Sequence, residues 1–194
     1  MPTSNHGATW IALDAISQAL ISSNDSADLR GLLWGKDDWP RWYHQLLNQI
    51  HALAADSPVE YITSSVRDSR IEGDDVYAFT ATLVIHASVS DFVGSGSRED
   101  AIVRTTGWLR TSLTGMTVVN LSPCPVEERG TEVAFPRNLT LDLHYGPRPA
   151  LRLPLPTLAR GNALENLYPS LLANLARGEL ASKAPQGIAP GSKA

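Results

Sequence analysis

The sequence is poor in cysteine. Cys124 is alone among 194 residues, so the chain can form no internal disulfide bond and nothing in it requires an oxidising compartment. No run of about 18 apolar residues, the length that a membrane-spanning helix needs, occurs in it. The first residues, M-P-T-S-N-H-G, have neither the positive charge nor the apolar stretch of a secretory signal peptide. We therefore expect a cytoplasmic protein that does not enter a membrane.

The sequence also lacks an excess of positive charge. Its 16 lysine and arginine residues are outnumbered by 20 aspartate and glutamate residues, which gives a formal net charge of -4. Binding to a phosphate backbone without sequence preference depends on a broad basic surface. We therefore expect no nucleic-acid partner.

Motifs for cofactors and metals are missing as well. The glycine-rich segment from Gly94 to Ser97 is not followed by the Gly-Lys-Ser/Thr sequence of a phosphate-binding loop. His44 and His51 are seven residues apart, whereas the helical zinc motif needs a spacing of four so that both rings reach one ion. No cofactor and no metal are predicted.

The clearest pattern that is present runs from Val76 to Ser90. The odd-numbered positions of this stretch, from Tyr77 to Val89, are apolar. The even-numbered positions include Thr80, Thr82, His86, Ser88 and Ser90. A period of two is typical of a β-strand with one buried and one polar face. The pattern predicts one long strand.

Helical periodicity surrounds the predicted strands on both sides. Apolar spacing and capping residues predict three N-terminal helices, over residues 8–21, 26–34 and 38–56. Asn162 and Glu165 form a capping box that begins a C-terminal helix, which Gly178 ends. Pro169 lies inside that helix and predicts a kink or a later start at Tyr168. Residues 179–194 are predicted to be a disordered tail.

Strand patterns fill the middle of the chain. Six or seven strands joined by short turns are predicted, over 59–71, 76–90, 101–113, 116–122, 131–135, 139–145 and 151–155. Short turns between consecutive strands imply an antiparallel meander. The fold class that follows is α+β: a curved antiparallel sheet with N-terminal helices and a C-terminal capping helix.

This order of elements also indicates how the chain is divided. We expect one domain, in which the helical segment 1–57 packs on the sheet and helix of residues 58–178. Between residues 58 and 177 the order resembles a pleckstrin-homology-like roll or a cystatin-like cone. The resemblance is one of topology and transfers no functional residues.

One group of polar side chains on the strands is the candidate site. His86 and His144 each lie on the polar side of a predicted strand. If the two polar sides coincide, they place on one face Thr80, Thr82, His86, Arg104, Trp108, Arg110, Asp142, His144 and Arg152. Such a face is either open to water, as antiparallel sheets commonly are, or lines a pocket or a partner groove. Trp108 between Arg104 and Arg110 is then the anchor.

Two functions are compatible with this face. The first is a non-catalytic protein-binding or assembly module. It binds another chain or a second copy through Trp108, Arg104, Arg110, Thr80 and Thr82, or through the tryptophans between residues 34 and 42. The alternative is a small-molecule-binding or enzymatic cone, with His86, Asp142 and His144 as acid–base candidates and Arg104 or Arg110 as an anion anchor. The alternative requires His86 and His144 to lie within one small ligand of each other in a concavity.

Overall fold

The computed structural model describes residues 5–23, 40–55, 57–65, 74–90, 101–120, 139–155 and 164–183. They form three α-helices, α1 (Asn5–Ser23), α2 (Arg41–Ala54) and α3 (Leu164–Lys183), and one 3₁₀-helix, Arg110–Ser112. The seven strands of this part of the chain are β1 (Tyr61–Ser64), β2 (Asp74–Phe79), β3 (Leu83–Ser90), β4 (Ile102–Leu109), β5 (Gly115–Asn120), β6 (Thr140–His144) and β7 (Leu151–Leu153). This order confirms the predicted α+β class, with helices at both ends.

The strands lie in two antiparallel sheets rather than in one. The first sheet has the order β1-β2-β3-β4 and the second has the order β5-β6-β7, and neither closes on itself. The division falls after β4, because the chain turns through the 3₁₀-helix Arg110–Ser112 before β5 begins. The predicted antiparallel meander is therefore split into a four-stranded and a three-stranded sheet.

The predicted long strand from Val76 to Ser90 is a hairpin. The backbone N–H of Thr80 donates to the carbonyl of Leu83 at 2.9 Å, and the Thr80 hydroxyl accepts from the N–H groups of Leu83 (3.0 Å) and Thr82 (3.3 Å). Threonine side chains bond to nearby backbone in this way at turns. The prediction of one strand was therefore wrong at Thr80–Thr82, where the chain reverses.

The two-residue turn changes which residues share a face. Across it, Phe79 pairs with Val84 and Tyr77 pairs with His86, so the odd positions of β2 lie on the same face as the even positions of β3. Tyr77 was predicted on the apolar side with Ile85. Instead it lies beside His86.

The four-stranded sheet has covering layers on both faces. Helices α1 and α2 cover one face, which we call the helix-covered face. Their core includes Leu13, Ile16, Leu20, Leu46, Leu47, Ile50, Val76, Ala78, Ile85, Ala87 and Val89. The three-stranded sheet and α3 pack against part of the opposite face. That second core includes Tyr61, Phe79, Val84, Leu141, Leu143, Leu153, Leu164, Leu167 and Leu171.

Several predicted boundaries differ from the structure. Pro40 immediately precedes α2, and the predicted cap at Asp38 lies outside the described residues. So do the predicted helix 26–34 and strand 131–135. Helix α3 is continuous from Leu164 through Pro169 and extends to Lys183, past its predicted end at Gly178. No helix in the described ranges has the length and apolar character needed to cross a membrane.

Arg110 connects three parts of the fold. Its side chain is 1% exposed and donates to the Glu60 carboxylate at 2.5 Å, to the Thr80 carbonyl and to the Ser170 hydroxyl of α3. We expected Arg110 on an accessible binding face. That expectation was wrong, because α3 and the hairpin turn enclose the guanidinium.

Replacing Arg110 tests this connection. Arg110→Met removes the donor to the Thr80 carbonyl and to the Ser170 hydroxyl, while Glu60, which is 39% exposed, can regain water. We expect the free energy of unfolding to fall by roughly 1 to 3 kcal/mol, because a buried acceptor is left without its hydrogen-bond partner. Urea denaturation measures the change. Arg152→Met is the matched control, since Arg152 is 60% exposed in its pair with Asp142 and exposed pairs contribute little. Equal losses in the two variants would contradict the proposed importance of Arg110.

Tyr43 makes stability depend on pH. Burial, together with the charge of Asp14 and against the Ser17 hydrogen bond, raises the pKa of Tyr43 from 10.0 to about 12. Below pH 10 the phenol is neutral in both the folded and the unfolded chain, and between pH 10 and 12 only the unfolded chain ionises. We therefore expect stability to fall over this interval. In Tyr43→Phe the fall should be smaller by roughly 2 to 3 kcal/mol, as measured by urea denaturation at several pH values. Identical pH profiles in the two proteins would disprove the assignment.

Candidate functional site

Within the described residues, only part of the face opposite α1 and α2 is covered. At the hairpin end, Phe79 and Val84 belong to the second core. At the other end, Ser88 is half-buried and Arg104 is exposed. We call the uncovered part the open half of the sheet, formed by Asp75, Tyr77, His86, Ser88, Arg104, Thr106 and Trp108. It holds three of the residues predicted as a site: His86, Arg104 and Trp108.

His86 is oriented by two neighbours on β2. Its Nε2 lies 2.7 Å from Oδ1 of Asp75, and its ring stacks on Tyr77 with centroids 4.5 Å apart. The side chain is 27% exposed. An ionised carboxylate only accepts hydrogen bonds, so the proton of the pair lies on Nε2 of His86. In the neutral ring, Nδ1 is then an acceptor.

The ring of Tyr77 stacks against the imidazole of His86. Burial raises the pKa of the Tyr77 phenol, and the negative charge of Asp75 raises it further. Tyr77 is therefore a neutral aromatic surface for the imidazole at physiological pH, and its hydroxyl is no candidate base.

Trp108 lies at the boundary between the covered and open halves. Its ring makes edge-to-face contacts with His86 and Tyr145, with centroid distances of 6.4 Å and 5.9 Å. The Arg148 guanidinium lies 4.4 Å from the centroid of the Trp108 ring. Its Nε1 is buried and has no hydrogen-bond partner in the described part of the chain. Trp108 is thus packed among aromatic rings and beneath the Arg148 cation. It is less exposed than expected from its position between Arg104 and Arg110 in the sequence.

Tyr145 joins this cluster from the three-stranded sheet. It is buried, and burial raises the pKa of its phenol against the opposing effect of Arg110. Its contact with Trp108 attaches the end of β6 to β4, so the boundary of the open half is fixed by packing between the sheets.

The two threonines of the predicted site have a structural role. Thr80 is fully buried and organises the hairpin turn. Thr82 is exposed in the same turn, at the covered end of the sheet. Neither lies on the open half.

Asp142 and His144 lie on the second sheet. They alternate along β6 with Leu141 and Leu143, which are buried in the second core, so their side chains project from the other face of that sheet. Arg152 holds the Asp142 carboxylate with hydrogen bonds of 2.8 and 2.9 Å, and the bonding keeps the pKa of Asp142 below its usual range. The structure does not bring His144 or Asp142 together with His86.

Neither a metal site nor a second aromatic surface is evident in the described ranges. They hold no group of three or more histidine, cysteine, aspartate or glutamate side chains placed to bind a metal ion. Trp42 is buried and makes an edge-to-face contact with Tyr43, with ring centroids 5.7 Å apart, so it packs in the core. Trp34, Trp39 and Cys124 lie outside the described residues.

Asp75, Tyr77, Tyr145 and Arg148 were missed by sequence reasoning. Asp75 lies just before the predicted strand, and Tyr77 was assigned to its apolar side because the hairpin was not recognised. Neither models of known families, nor curated proteins, nor solved structures give a match to this chain. The function has to be inferred from the surface itself.

The bond between Asp75 and His86 is open to measurement. We expect the Nε2 proton of His86 to give a downfield nitrogen-attached resonance that exchanges slowly with water, because a charge-assisted hydrogen bond protects it. The resonance should disappear in Asp75→Ala, where the acceptor is gone. Asp142→Ala, which removes a carboxylate on the other sheet, should leave it unchanged. A protected Nδ1 proton, or no protected proton in the unaltered protein, would be inconsistent with this geometry.

Proposed function

We propose that the protein is a non-catalytic protein-binding module and that the open half of the sheet is its binding surface. The observation that carries the proposal is the partial cover of this face: in the part of the chain that the structure describes, the second layer stops at Trp108 and leaves a polar surface beside a packed aromatic cluster. Aromatic and arginine side chains are enriched at interfaces between proteins, with polar residues at the rim.

The chemistry of this surface suits a protein partner. Arg104 and Thr106 are exposed on β4 and offer hydrogen-bond donors and acceptors. Tyr77 and Trp108 hold each other in place through an edge-to-face contact, with ring centroids 6.4 Å apart. Ordering such residues in advance lowers the entropy lost when a partner binds.

The separation of the acid–base candidates favours binding over catalysis. An enzymatic cone would need His86 and His144 on one concave face, and they lie on different sheets. Asp142 is paired with Arg152. Only the pair of Asp75 and His86 remains on the open half.

That pair supports a second candidate function, the binding or conversion of a small molecule. A carboxylate that orients an imidazole is the arrangement of a general base, and 27% of the His86 side chain is exposed. Native mass spectrometry after exposure to a small-molecule extract distinguishes it. A bound mass that is present in the unaltered protein and disappears in His86→Ala favours this candidate. The absence of any bound mass in the unaltered protein favours a protein partner.

Site-specific photo-crosslinking tests the protein-binding proposal. Benzoylphenylalanine at Thr106, on the open half, should give an adduct with one protein chain in the cells that make the protein. Benzoylphenylalanine at Arg152, exposed on the outer face of the other sheet, is the matched control and should not. Adducts of equal yield from both positions, or none from Thr106, would refute the proposal. Intact-mass measurement shows whether the partner is a second copy.

A further inference from the structure

The four outer strands of the two sheets differ in how their edges are protected. Strand β1 is short and buried throughout, β5 has an irregular register between Val118 and Asn120, and β7 has three residues and is followed by Pro154. Strand β4 is eight residues long and pairs with β3 without a register shift. Proteins usually shorten, bulge or charge their edge strands because an open edge recruits other strands. Among the described strands, β4 is the longest edge and has an unbroken register, and its protection is limited to the charge of Arg104 and the Gln49 side chain at Val103.

The register shows which backbone groups of β4 point outward. Arg110 N–H bonds to the Thr82 carbonyl at 2.8 Å, which continues the pairing with β3. In an antiparallel pair, bonded and non-bonded positions alternate, so the even-numbered residues of β4 bond to β3 and the odd-numbered residues point away. Gln49 confirms this direction, since its Nε2 donates to the Val103 carbonyl from outside the sheet at 3.3 Å.

In the middle of this edge, the Thr105 hydroxyl donates to Oε1 of Gln49, and the outward backbone groups are left unused. No hydrogen bond within the described ranges uses the backbone N–H or C=O of Thr105 or Gly107. A Cβ at Gly107 would point to the helix-covered face and meet Leu53 of α2 at 3.8 Å, an ordinary contact, so alanine fits at this position. These four backbone groups match the spacing that one additional strand would use.

The side chains beside this edge indicate the charge of the occupant. Arg104 and Thr106 on the open half, and Ile102 on the same face of β4, are exposed, and a strand added to β4 would place its alternate side chains directly opposite them. Ser88 lies across from Arg104 on the β3 side and carries no charge. Opposite charges at facing positions of adjacent strands are favourable, so an acidic residue opposite Arg104 is the expected match.

We infer that β4 pairs with an extended segment of the partner protein that carries an acidic side chain opposite Arg104. This inference rests on the proposed function and adds the partner's conformation and charge. The segment continues the four-stranded sheet by one strand at its β4 edge, and its remaining side chains on that face meet Ile102 and Thr106.

Amide hydrogen exchange of the free protein tests the geometry of the edge. The amides of Arg104 and Thr106, bonded to β3, should exchange slowly, and those of Thr105 and Gly107 should exchange at least tenfold faster. Two eight-residue probe peptides, one alternating valine with glutamate and one alternating valine with lysine, test the charge. The glutamate peptide should slow exchange at Thr105 and Gly107. Equal exchange at all four amides, or stronger protection by the lysine peptide, would overturn the inference.

The crosslinking assay at Thr106 separates this inference from the function on which it rests. Gly107→Pro removes one outward N–H and should lower the adduct yield at least tenfold, and Gly107→Ala, which keeps it, should not. Arg104→Glu should lower the yield about fivefold, and Arg104→Lys should retain most of it. If Gly107→Pro does not fold, as judged by its urea midpoint, Arg104→Glu decides.

The outcomes lead to different conclusions. An adduct that persists in folded Gly107→Pro, or that Arg104→Glu does not weaken, overturns strand pairing but leaves a partner on the open half. No adduct in the unaltered protein contradicts the proposed function itself. An adduct that depends on both positions, with its crosslink mapped to an extended acidic segment, supports both.

Discussion

The structure depends on the burial of one cation. Removing a guanidinium from water is costly, and the cost is offset only where the group is paired and its donors are bonded. Both terminal nitrogens of Arg110 are bonded, to Glu60, Thr80 and Ser170, which precede β1, begin the hairpin turn and belong to α3, whereas its buried Nε has no partner in the described part of the chain. These three elements must therefore come together for the cation to be accommodated, so Arg110 fixes the position of α3 on the four-stranded sheet.

The same contact determines where the sheet ends and the site begins. Arg110 directly follows β4, and its backbone N–H makes the last bond to the hairpin at Thr82. Beyond it the chain leaves the first sheet and forms the second, which returns over Phe79 and Val84. Because Arg110 and the second layer occupy the hairpin end of the face, the other end, with His86 and Arg104, is left open. The position of the open half thus follows from the side chain that closes the opposite end.

Sequence patterns predicted local structure well and the meeting of distant residues poorly. The stripe of Leu46, Leu47 and Ile50 specified α2 because a helix repeats every 3.6 residues. The hairpin was missed because both faces of the sheet are buried near the turn. The signal was present in the apolar residues at even positions, Val76, Ala78 and Val84, which a single strand with one polar face does not explain. Arg110 is 50 residues from Glu60 and 60 from Ser170, and no periodicity reports contacts of that range.

The backbone of β4 could supply only part of the free energy needed to bind an added strand. Four outward groups at Thr105 and Gly107 offer bonds of about 0.5 to 1.5 kcal/mol each, whereas ordering each residue of an incoming segment costs about 1 to 2 kcal/mol. For a segment of about five residues the backbone bonds do not offset the ordering cost, even though β4 itself is already ordered. Side chains must supply the difference, and those that face the added strand on the open half are Ile102, Arg104 and Thr106. In the proposed pairing, the backbone of β4 would therefore set the orientation of a bound segment, and the even-numbered side chains of the strand would decide which segment binds.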